Sequence, residues 1–124
     1  MVKVFLFFGA IFGGLSVALG AFAAHALENK LTPRAMEIWE TGTKYQMYHA
    51  LALLLLSLLL DNTESTTLSI AGWAFIAGTC LFSGSLYALS LTGIKWLGAV
   101  APLGGVSLIV GWICLAITAF QMKS

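Results

Sequence analysis

Two histidines, His25 and His49, are the only side chains here that ordinarily change charge near neutral pH. Tyr45 and Gln46 stand four and three residues before His49, so a helix would set all three on or near one face. Ser83 and Tyr87 are likewise one helical turn apart, with Ser85 between them. Pro102 lacks a backbone donor and predicts a kink, and Gly104 and Gly105 after it would let a helix or ligand approach closely. Such a set could hold a polar ligand, pass a proton or bind a metal. A metal site usually needs three or four ligands, and only Glu28 and Glu40 stand near the histidines. Cys80 and Cys114 lie inside apolar runs and form neither a metal spacing nor a disulfide framework. No metal and no cofactor are expected. There is no serine–histidine–aspartate set and no glycine-rich phosphate loop, so an enzyme would have to rest on His49 as a lone base.

The elements that must position these residues follow from composition. The chain is 60% hydrophobic and 9% charged, against about 25% charged in a soluble domain. It lacks the charge to cover a water-facing surface and has to face lipid. A net charge of +1 without a basic face excludes a nucleic-acid partner. Four apolar runs predict four membrane-spanning helices in one domain over 1–124, at about residues 4–25, 44–60, 68–91 and 97–120. The first run, with Lys3 before it and small residues after Ala21, looks like a secretory signal; it is long enough to span and reads as a retained first helix. The fold class is therefore all-α, an integral membrane four-helix bundle.

Between the first two runs lies the one sizeable polar stretch, with Glu28, Lys30, Arg34, Glu37, Glu40 and Lys44. Thr32 before Pro33 reads as an N-cap and first helical residue. A short interfacial amphipathic helix over about 33–42, turning into the second span near Gly42, is the first reading. A continuous bent helix from Pro33 to Leu60 is the second. Four spans place both termini on one side, with Lys3 and Lys123, and put Lys30, Arg34, Lys44 and Lys95 on the loop side. The positive-inside rule then predicts cytoplasmic loops and external termini.

Small residues recur at helical spacing: Gly9 with Gly13, Ala10 with Gly14 and Ala18, Ala74 with Gly78, Gly84 with Ala88, and Gly104 with Gly111. Lipid gives apolar helices no hydrophobic reason to associate, so close approach through such rows has to supply the packing. Glycine is also simply common in membrane helices.

On these spans the polar residues gather in the loop-side leaflet: His25, Tyr45, Gln46, His49, Ser83, Ser85, Tyr87 and Pro102. The terminal half offers little besides Ser16 and Ser57 and reads as apolar scaffold. Plainer roles exist for each member. The tyrosines, with Trp39 and Trp96, fit an aromatic belt, the serines can bond back to their own helix, and the histidines can be structural. Against this, an ionisable residue inside a span is a functional candidate by default.

At these same residues the chain resembles domain-of-unknown-function family 423 (YgdD-like, transmembrane protein 256-like). Gly20 to Leu27 is similar to its GAFGAHAL motif, and Tyr45 to Leu53 to its YQ..HALAL motif. Leu81 to Tyr87 matches LFSGSLY, and Leu97 to Gly105 with Gly111-Trp112 resembles LG..TPIGG…GW. Ala23 stands where the motif has glycine, and Ala101 where it has threonine. The resemblance implies a small four-span protein of the bacterial inner or plasma membrane and implies no activity. The expected function is a non-enzymatic bundle that binds a lipid, a quinone or a membrane-protein partner through the loop-side cluster. An oligomeric transporter or channel for a small solute or protons, an enzyme using His49, and a purely structural cluster are the alternatives. Membrane lipids are the expected partners, with a membrane complex or homo-oligomer beside them.

Overall fold

The computed structural model describes residues 1–122 and is built from four long helices. α1 runs over Val2–Phe22 and continues through one wide π-turn, Ala23–Leu27. α2 spans Pro33–Asp61, α3 Thr66–Thr92 and α4 Leu97–Gln121. Local chemistry sets the ends. The Thr32 hydroxyl accepts from the Ala35 backbone N–H at 3.1 Å with Pro33 as first helical residue, which satisfies a donor left open at a helix start. Ser65 caps α3 in the same way, accepting from Leu68 N–H at 3.2 Å. Gly93 closes α3 at φ +71°, a left-handed conformation that glycine adopts without steric cost.

One expectation changes. There is no separate interfacial helix over 33–42 with a turn near Gly42; α2 is one uninterrupted helix, as in the second reading. Gly42 lies buried within it because the Tyr87 ring occupies the space a side chain would need. Pro102 lies inside α4, which is helical from Leu97 to Gln121. The proline lies near the start of α4 on its exposed side, with Ala101 buried beside it.

Successive helices run antiparallel and pack in chain order. α2 lies against both α1 and α3, and α3 against both α2 and α4, while α1 and α4 share no comparable face. Two long contacts cross the group: the Phe5 ring of α1 fills the place of a side chain at Gly72 of α3, and Trp112 of α4 reaches His49 of α2. The cross-section is thus a rhomb whose short diagonal is the α2–α3 seam. The core collects Phe5, Phe12, Leu53, Leu56, Leu68 and Phe75, and the fully buried Phe5 makes α1 an integral part of it.

The outer surface is apolar. Phe7, Val17, Leu55, Leu58, Val106, Ile109, Ile113 and Phe120 all point outward, as expected of a surface solvated by acyl chains. α1 with its π-turn, α3 and α4 are each long and apolar enough to cross a membrane.

The glycine rows are used unequally. Gly78 and Gly104 face each other where α3 crosses α4: a side chain on Gly78 would come within 3.0 Å of the Gly104 carbonyl oxygen, and one on Gly104 would strike the Phe82 backbone. Gly111 receives the Phe75 ring, and Gly9 receives Leu54. Gly13 makes ordinary contact with Ala50, and Gly105 with Phe82. Gly14 and Gly84 face open space, with nothing among the described residues packed against them. Gly42 and Gly72, absent from the rows read in the sequence, are also close seats, Gly72 among the tightest.

Candidate functional site

The polar residues sort into fasteners and a groove. The central fastener is Gln46, which is 4% exposed. Its side-chain N–H donates to the Phe12 carbonyl of α1 at 2.9 Å, and its Oε1 accepts from the Tyr87 hydroxyl of α3 at 2.6 Å. One amide therefore ties three helices. Tyr87 reaches it by lying over Gly42, with its ring 4.7 Å from that of Trp39. Trp39 in turn donates its indole N–H to the Leu19 carbonyl at 3.0 Å, close to the π-turn of α1. Ser83 and Ser90 of α3 donate to the Gly42 and Ala35 carbonyls of α2, each at 2.7 Å. Ser107 of α4 donates to the Ala74 carbonyl of α3 at 2.8 Å. In lipid such bonds replace the hydration that a soluble protein would give these groups.

His49 is 6% exposed, and both ring nitrogens are engaged. Trp112 N–H donates to Nε2 at 2.9 Å. Nε2 must then be the unprotonated nitrogen, which leaves the proton on Nδ1, 2.7 Å from the Tyr45 carbonyl it donates to. The Phe75 and Trp112 rings lie 5.4 and 5.7 Å from the imidazole, inclined to it at 55° and 63°.

Beside this histidine a lateral groove opens between α2 and α4. Tyr45, His49, Phe82, Gly105, Ile109 and Trp112 line it, and it holds about 250 Å³. Phe82 forms its floor, and Gly105, without a side chain, leaves the α4 wall low. Phe82 also borders a second depression toward the loop side, lined by Arg34, Glu37, Glu40, Lys44 and Leu86 and holding about 450 Å³.

The cluster read from the sequence is thus divided. Gln46, Ser83 and Tyr87 meet in the core; Tyr45 and His49 border the groove. Ser85 bonds only to the Phe82 carbonyl of its own helix at 3.0 Å. His25 does not join the others: it lies in the π-turn between the buried Ala23 and Leu27, exposed and, among the described residues, without a hydrogen bond. The cluster also sits deeper than one turn inside the apolar edge. Gln46 is opposite Phe12, near the middle of α1, and Trp112 lies well within α4. The cause is the early start of α2, whose polar first third runs alongside apolar turns of its neighbours.

The terminal half is less bare than the sequence suggested. Thr67 of α3 bonds to Thr118 of α4 at 2.5 Å and donates to Gln121 Oε1 at 3.1 Å. The pairing is distant in sequence, and no local spacing signals it. Among the described residues no three His, Cys, Asp or Glu side chains come together as a metal site.

A family model described as "Protein of unknown function (DUF423)" matches residues 19–105. A UPF0382 membrane protein of Bacillus subtilis is 48% identical over 121 residues, covering 97% of this chain and 98% of its own. Relatives of the same name in Staphylococcus epidermidis and Staphylococcus saprophyticus are 47% and 46% identical, each over at least 97% of this chain. No solved structure matches. With three membrane-competent helices and relatives named as membrane proteins, the chain is a multi-pass cell membrane protein.

Proposed function

The chain belongs to this family of unknown function, and from that premise we propose that it is a non-enzymatic four-span bundle which holds the acyl chain of a membrane lipid in the α2–α4 groove. The observation that carries this reading is the groove itself: laterally open, almost wholly apolar, about 250 Å³, and bordered by a histidine already satisfied by its neighbours. A bulky ligand needs roughly 300–1,000 Å³, so a single slender chain suits the space. Both His49 nitrogens are in use, which disfavours a base or a proton relay at this point. α2 is the fourth span: at about 1.5 Å per residue its length is roughly 43 Å, and the polar groups that dilute its apolar character are bonded inside the bundle. Lys30, Arg34, Lys44 and Lys95 support a cytoplasmic loop side.

The test is retention of phospholipid by the purified protein, read by native mass spectrometry after detergent exchange. Gly105→Leu raises the low wall and fills the groove while improving helix propensity. It is expected to abolish a lipid adduct that the parent protein carries. An adduct of unchanged occupancy in the leucine variant overturns the proposal.

A further inference from the structure

We infer that the groove selects a phospholipid whose headgroup carries both a phosphate and a primary ammonium, an ethanolamine-type lipid, entering from the loop-side leaflet. This rests on the groove reading above and adds the headgroup to it. The apolar groove and the charged depression meet at Phe82, beside the Tyr45 ring, so a lipid laid across that residue would have its head in one and its chain in the other. The path has the polarity of a lipid: charged at its mouth, apolar beyond Tyr45. Along α2, from Glu37 to His49, it extends roughly 18 Å at 1.5 Å per residue, against about 15 Å for half of a 30 Å hydrocarbon core. It ends at Trp112 and Phe75, whose rings close around His49. One leaflet's worth of lipid fits that span.

The mouth carries two bases and two acids, and only one pair is made. Arg34 and Glu37 bond at 3.3 Å. Glu40 and Lys44, one helical turn apart and both exposed, form no ion pair among the described residues. Their charges remain for a ligand of the complementary pattern. The ammonium of Lys44 suits a phosphate, and the Glu40 carboxylate suits a group with N–H donors. A choline head has a positive charge but no N–H to give. A glycerol head offers hydroxyl donors but no positive charge to balance the carboxylate.

The experiment is a competition among ethanolamine, choline and glycerol phospholipids of identical chains, presented to the delipidated full-length protein in mixed micelles and counted by native mass spectrometry. The parent protein is expected to keep the ethanolamine lipid about tenfold over the other two. Glu40→Gln should bring ethanolamine and choline lipids to parity, and Lys44→Gln should lower retention of all three. Both side chains are exposed, so folding is not at issue. Equal retention of the three lipids by the parent protein, or undiminished selection in Glu40→Gln, overturns the headgroup inference. If lipid is then still lost from Gly105→Leu, the groove reading survives that failure; if Gly105→Leu also keeps its lipid, both fall.

Discussion

The α2 seams and the α3–α4 seam are held by different means. α2 meets α1 and α3 through side chains that donate to carbonyls across the gap: Gln46 to Phe12, Trp39 to Leu19, Ser83 to Gly42 and Ser90 to Ala35. α3 meets α4 mainly through missing side chains, with Gly78 on Gly104 and Phe75 seated at Gly111. α2 is also the least apolar of the four helices, the one that falls outside the membrane-competent set. A helix that brings polar groups into lipid has to spend them on neighbours, whereas a wholly apolar pair gains most by bringing backbones together.

This contrast predicts an order of damage, measured as unfolding free energy by SDS titration in mixed micelles. Gly104→Leu should be worst, at about 3 kcal/mol or more, because the new side chain meets Phe82 backbone rather than a movable side-chain end. Gln46→Leu comes next, at about 2 kcal/mol, since it strands the Tyr87 hydroxyl in the interior. A cycle combining it with Tyr87→Phe should return part of that cost; strict additivity of the two changes would show that the pair is not coupled. Ser83→Ala should cost about 0.6 kcal/mol, the average for a single interhelical bond in a membrane. Gly84→Ala, facing open space, should cost nothing within error or stabilise slightly. If Gly84→Ala damages the protein as much as Gly104→Leu, the division between packed and idle glycines is wrong.

Much of this was legible in the sequence, and the limits have a physical cause. The four apolar runs, the Thr32-Pro33 start and the partnership of Tyr45 with His49 follow from local chemistry and helical spacing. Which glycines pack does not. A membrane helix is apolar on every side, so no polar face marks its outside, and Gly14 looks as usable as Gly9 until the helices are placed. Gly42 misled in the opposite direction. In a polar stretch it reads as a break, yet it is a seat for Tyr87. His25 and His49 looked alike because both stand in strong motifs, but His25 lies on the outward side of its helix, between the buried Ala23 and Leu27. Gln46 seemed an accessory to His49, because its two partners lie 34 and 41 residues away in the chain.

The rhomb has a consequence for assembly. Since α1 and α4 share no comparable face, each hairpin, α1 with α2 and α3 with α4, holds most of its contacts within itself. The short Asn62–Ser65 link joins the two halves, which meet along the α2–α3 diagonal. The chain is in effect a heterodimer of hairpins written as one polypeptide. The side-chain hydrogen bonds that join the second hairpin to the first are those of Tyr87, Ser83, Ser90 and Trp112.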